Sequence, residues 1–289
     1  MMFKTLRFIV VFFVLIISIT SFAHAKTVIT IAAIESSINS WYEFKSNSKV
    51  APEKIQHIIG ANKRFIADMV ILTQAFDKAD YDFEIEFVIA PNVKRAVLML
   101  VSGDAVMVGS DLFLNDYPAS VLISEAIIEE GDIFKGVFGL TSNKNLMAVK
   151  SIEDLQQLTA VSLPNWKTDW STLTKLHVKN LSPVNKYQAM INLIVFRNID
   201  FGLIEIPLLT DPTSTWMYKG VSLSIVSEIK LQMPGSRHFA VSKTHPLGEQ
   251  VYKALEQGLL ILREENKIQS LMEDVGVHNK KTYGWKILN

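Results

Sequence analysis

The chain has 289 residues, with 29 basic and 29 acidic side chains, 49% hydrophobic residues and no cysteine. The missing cysteine excludes disulfides, thiolate metal sites, a thiol nucleophile and a lipid anchor on a cleaved cysteine. The balanced charge excludes the basic footprint of a nucleic-acid-binding protein.

The chain opens with Lys4 and Arg7, an unbroken apolar run over 8–17 that trails off through Ser18, Ile19 and Thr20, and then Ala23-His24-Ala25. Charged start, short apolar core and small-x-small exit are the three parts of a secretory signal peptide cleaved after Ala25. A ten-residue core is too short for a membrane span, which takes about 20 apolar residues. Removing residues 1–25 takes away Lys4 and Arg7 and leaves 27 basic against 29 acidic side chains, a formal charge of −2. The expected product is an exported, unanchored protein of the periplasm.

A β-branched run over 27–34 reads as a buried strand. Residues 35–51, with Trp41, Tyr42 and Phe44, read as a loop with a helical turn. Phe65, Met69, Leu72 and Phe76 place 62–76 on a helix, and 83–89 reads as a strand. Asn92 is an N-cap and Gly103 a stop for the next helix, ahead of a short strand at 105–108. This β-α-β-α-β rhythm is that of a parallel sheet covered by helices.

Residues 121–128 and 136–140 are further extended segments. A second α/β series follows. Ser151, with Asp154 three residues on, opens a short helix. Strands are expected at 159–163, 181–183, 199–204, 221–226 and 238–241, and helices at 169–177 and 185–197. The tail over 247–273 reads as helix broken near 263–266. With no linker between the two series, they form two lobes that share crossing segments near 139–143 and 234–237. One lobe takes 26–140 plus 236–289, the other 141–235.

Several segments carry a likeness to a known family. They are the first strand with its Trp41-Tyr42 loop, the helix bounded by Asn92 and Gly103, and Lys150-Ser151-Ile152-Glu153-Asp154-Leu155 at the start of lobe two. The fourth is the helix from Tyr187 that leads into Arg197-Asn198-Ile199-Asp200-Phe201-Gly202. In this order the chain resembles the type II periplasmic solute-binding proteins, specifically family 3, the polar amino acid binders. The resemblance implies an α/β, two-lobed periplasmic binding protein type II fold, each lobe a mostly parallel sheet flanked by helices. It also implies capture of a small polar ligand for an ABC transporter permease or a membrane sensor. Amino acid binders of this family carry an arginine shortly after the third strand, to hold a carboxylate. Here that stretch is Gly109-Ser110-Asp111-Leu112-Phe113-Leu114-Asn115, and the anion turn of lobe two reads Leu163-Pro164-Asn165-Trp166-Lys167-Thr168. An acid in place of the arginine suits a cationic or amine ligand, or none.

Ligand groups in open α/β sheets sit at the carboxyl ends of strands. That rule selects Glu35, Trp41 and Tyr42 after the first strand, Ser110 and Asp111 after the third, Asn165, Trp166, Thr168 and Asp169 in lobe two, and Glu205 after the strand at 199–204. Trp41 and Tyr42 read equally well as covers of a lobe face, and Asp169 as a plain helix-terminal residue. Asp200 reads as structural. The histidines His57, His177, His238, His245 and His278 are scattered without metal-ligand spacing, and no nucleophile-elbow or phosphate-loop pattern occurs. No cofactor, metal or nucleic acid is therefore expected, and no catalysis. Two further readings stay open. One is an interaction protein with a degenerate cleft. The other is a dehydratase-type enzyme, an activity that the resemblance attaches to a few relatives of the fold.

Overall fold

The computed structural model describes residues 26–47, 62–206 and 215–289. The expected signal peptide and His57 lie outside the described residues. No helix among the described residues is long and apolar enough to cross a membrane.

The first series runs β1 (Thr27–Ala33), α1 (Glu35–Asn47), α2 (Lys63–Lys78), β2 (Phe83–Ile89), α3 (Val93–Ser102), β3 (Met107–Val108), β4 (Leu112–Phe113) and β5 (Val121–Ile128). The second runs β6 (Phe134–Leu140), α4 (Lys144–Met147), α5 (Ile152–Gln156), β7 (Thr159–Ser162), α6 (Lys167–Lys175), β8 (Asn180–Pro183), α7 (Tyr187–Phe196), β9 (Phe201–Glu205), β10 (Trp216–Tyr218), β11 (Val221–Ile225) and β12 (Ile229–Gln232). The chain ends with β13 (Arg237–Ser242), α8 (Gly248–Glu264), α9 (Lys267–Asp274) and β14 (Lys286–Ile287).

The strands form two sheets, both flanked by helices. The first has the order β2-β1-β3-β13-β4, with β5 on β13. The second has the order β10-β11-β6-β9-β7-β8, with β12 joining β6 to β14. The α/β, two-sheet architecture is as the sequence predicts. The sheets are mixed rather than mostly parallel. β1, β2 and β3 run parallel, as do β7, β8 and β9, whereas β13 and β6 run antiparallel to their sheet partners. Those two strands arrive from the other sheet rather than through a helical crossover, so nothing forces them parallel.

Local signals explain the element ends. Asn92 accepts a hydrogen bond from the Arg95 amide at 2.9 Å, and Gly103 takes a left-handed φ of 81° after α3. Ser151 and Asp154 form a reciprocal capping box on α5. Asn266, at φ 55°, separates α8 from α9 where the break was expected. Asp200 is structural, with its carboxylate held by Asn143, the Thr159 amide and the Thr159 hydroxyl.

Two expectations change. Residues 35–47 form a 13-residue helix rather than a loop. Ile38 and Trp41, one turn apart, are both buried and define its inner face. The first crossing lies at 129–133 rather than 139–143, because β6 is hydrogen-bonded between β9, β11 and β12 and belongs to the second sheet. The chain returns to the first sheet between β12 and β13, at 233–236. The tail then crosses once more to lay β14 beside β12.

Candidate functional site

A network of largely buried ions joins residues of the two sheets. α2 buries a run from Phe65 to Leu72 that is apolar save for Asp68, and Arg64 and Asp68 lie one turn apart near its N-terminus. Arg64 Nε donates to Asp68 Oδ1 at 3.0 Å, and its Nη2 bonds Asp111 Oδ2. Asp111 follows β3 and has no exposed surface. Its amide donates to Asp68 Oδ2 at 3.3 Å. Arg237, the first residue of β13, donates from Nε to Asp111 Oδ1 at 3.0 Å and from Nη2 to the Asp111 carbonyl at 2.9 Å. Its guanidinium lies 5.0 Å from the centre of the Phe113 ring.

The same guanidinium reaches the second sheet. Arg237 Nη1 donates to Glu205 Oε1 at 2.7 Å. Glu205 ends β9, directly opposite Lys135 in β6. Lys135 is itself buried, with Nζ 2.8 and 2.7 Å from the two oxygens of Asp169 in α6 and 5.5 Å from the Trp166 ring centre. At the start of α6, Lys167 Nζ donates across to the carbonyl of Asn115 at 2.7 Å.

Burial and pairing compete at each acid. Burial pushes Asp68 up to about 6, against the opposing pull of Arg64. Burial also raises Asp169, which Lys135 draws back, and Asp116, opposed by Lys167 and Arg237. At Glu205 burial loses, because the charges of Arg237, Lys135 and Arg64 together hold its carboxyl down at about 2. Its side chain keeps 22% exposure.

The structure gathers Asp111, Asp169, Glu205 and Trp166 from the sequence-selected residues. Thr168 is buried beside them on α6. Ser110 is half-buried, and its carbonyl accepts the Tyr117 hydroxyl at 3.5 Å. The others stand apart. Glu35 is exposed at the start of α1. Trp41 is core, 6% exposed and 5.7 Å from Phe44 between ring centres. Tyr42 is 54% exposed and sits edge-on to Phe87. Asn165 lines an open hollow of about 510 Å³ with Pro164, Pro183, Val184, Asn185 and Ala189, on lobe two alone.

Sequence reasoning missed Arg64, Asp68, Lys135 and Arg237. A signal existed for the first pair, because two opposite charges at i and i+4 interrupt the apolar face of α2. Lys135 was legible as a lone cation in an apolar strand. Arg237 carried no local signal. The stretch after the third strand has no arginine of its own, and Asp111 there meets guanidinia from α2 and β13. Asp111 pairs with both guanidinia, one on each carboxylate oxygen, which offsets the negative charge that a cationic ligand would seek.

No protein-family model matches the chain, and no curated protein does. Solved structures match across most of its length. The periplasmic VFT2 domain of Bordetella pertussis BvgS superposes with a TM-score of 0.56 at 15% identity, covering 85% of this chain and 92% of that one. The chain has the two-lobed fold of the periplasmic binding proteins. An ancestral arginine-binding protein bound to arginine gives a TM-score of 0.54 at 12% identity, over 86% of this chain and 98% of that one. The GluR0 ligand-binding core of Nostoc punctiforme, in complex with L-glutamate, gives 0.51 at 14%, over 86% and 97%. In this two-lobed frame, the ion network joins residues of both sheets.

Proposed function

We propose that the protein is an exported solute-binding protein. It captures a small polar molecule in the cleft between its lobes and presents it to a transporter or a membrane sensor. The observation that carries this reading is the concentration of fixed charge at the cleft floor, where Asp111, Arg237 and Glu205 join groups from both lobes. A site of that polarity suits polar solutes, which can exchange hydrogen bonds with the paired ions. The neighbours support it in kind: they include arginine- and glutamate-bound domains and a BvgS periplasmic domain. The reading includes no catalysis. Asp68, Asp111, Asp169 and Glu205 are each held in an ion pair within the chain.

The test is thermal denaturation of protein unfolded and refolded to strip co-purified solutes, against a panel of amino acids, amines, organic acids and sugars. A ligand at 100 times its Kd stabilises by about 2.7 kcal/mol, an easily resolved rise in Tm. Calorimetry on each hit then gives the stoichiometry, with one site expected. If the whole panel leaves Tm unmoved, solute capture is wrong and the interaction reading takes its place. That second reading is favoured by one observation, the internal pairing of every arginine in the cleft.

A further inference from the structure

The ion network is divided between the lobes. The first contributes Arg64, Asp68, Asp111, Asp116 and Arg237, and the second Lys135, Lys167, Asp169 and Glu205. Two direct bonds join the halves. Arg237 reaches Glu205 at 2.7 Å on the floor, beside the crossing at 233–236. Lys167, at the start of α6, reaches the Asn115 carbonyl at 2.7 Å. Its ammonium also faces Asp116, whose Oδ1 is buried without a hydrogen-bond partner among the described residues.

Separating the lobes would leave Glu205 with Lys135 alone, and Lys135 already spends two bonds on Asp169. Asp116 would lose Lys167. Both carboxylates sit in partly desolvated surroundings, where losing a counter-charge is costly. The aromatic faces are committed in the same way, Phe113 to Arg237 and Trp166 to Lys135.

We infer that the protein clasps its own cleft shut: Arg237–Glu205 and Lys167–Asn115 hold the lobes together with no solute bound, and an entering solute must displace Arg237 from Glu205. Closure is then the resting state rather than the consequence of binding. This goes beyond solute capture and is judged separately from it.

The cysteine-free chain allows a direct test. Lys94 on α3 and Lys175 on α6 are exposed, one on each lobe. Lys94→Cys with Lys175→Cys takes a pair of spin labels, whose separation is read by pulsed dipolar spectroscopy on refolded, solute-stripped protein. The expected result is one narrow, short distance in that background, and a longer, broader distribution after Glu205→Gln together with Lys167→Gln. Lys167→Gln alone is exposed and tolerable, and it shows part of the same shift even where Glu205→Gln fails to fold. A broad or long distribution before any clasp substitution overturns the inference. So does a distribution that neither variant changes. Solute capture is read from the thermal shift alone, so either idea can fail while the other stands.

Discussion

Asp68 and Glu205 share one network and titrate in opposite directions, for reasons visible in their surroundings. Asp68 is fully enclosed and meets one strong cation, Arg64, with Arg237 more distant and Glu205 opposing, so burial prevails and its pKa rises to about 6. The folded protein therefore holds the Asp68 proton more tightly than the unfolded chain does. Ionising Asp68 between its ordinary value of 3.8 and about 6 costs stability. Glu205 faces Arg237 from β13, Lys135 from β6 and Arg64 from α2, and falls from 4.5 to about 2. Its contribution is complete above pH 4.5 and is lost as pH falls toward 2. Thermal melts in parallel with Asp68→Asn should show the wild type losing ground to the variant between pH 4 and 6. Melts with Glu205→Gln should show the wild-type advantage holding at pH 5 to 7 and disappearing below pH 4.5. A difference curve flat in pH for either pair would mean that the network does not act as described.

At the scale of elements, α2 and α8 meet at a point where a side chain has no room. A Cβ built on Gly258 would stand 1.8 Å from the carbonyl oxygen of Ala75. Helix propensity alone favours Gly258→Ala by about 1 kcal/mol. Forcing two helix backbones apart costs about 1–3 kcal/mol or more, because neither can yield as a side chain can. The contact should win, so Gly258→Ala lowers stability in a urea titration, and a more stable variant would refute the close approach. The capping residues show the opposite case. Asn92, Gly103, Ser151 and Asp154 were legible in the sequence because a cap is a relation among residues three or four apart. The helix α1 is less legible, because its inner face rests on few apolar residues, Ile38 and Trp41 among them, in an otherwise polar segment.

At the scale of the molecule, the tail ties the second lobe to the end of the chain. β14 pairs with β12, Asn289 exchanges two hydrogen bonds with the Gln232 backbone at 2.9 Å, and the buried Lys230 donates to the Thr282 carbonyl at 2.8 Å. Trp285 packs on the second lobe's core. Deleting residues 284–289 removes the strand and the indole but leaves Thr282. Each kcal/mol lost lowers Tm by about 2–4 °C in a chain of this size. A fall of several degrees by differential scanning calorimetry is the expected outcome, and an unchanged Tm would make the tail an accessory.

By itself the sequence determined the α/β rhythm, the caps and the strands other than β4, β10, β12 and β14, because hydrophobic period and capping act over a few neighbours. It also pointed to Asp111, Asp169 and Glu205, since carboxyl ends of strands follow from the order of elements. Only the tertiary structure decided what those acids face. The partners of Asp111 lie 47 and 126 positions away, and Glu205 meets Arg237 across 32. Nothing local encodes such pairings, since they depend on how two sheets and two crossings are arranged. That arrangement brings two arginines, from α2 and β13, onto the one aspartate that follows the third strand.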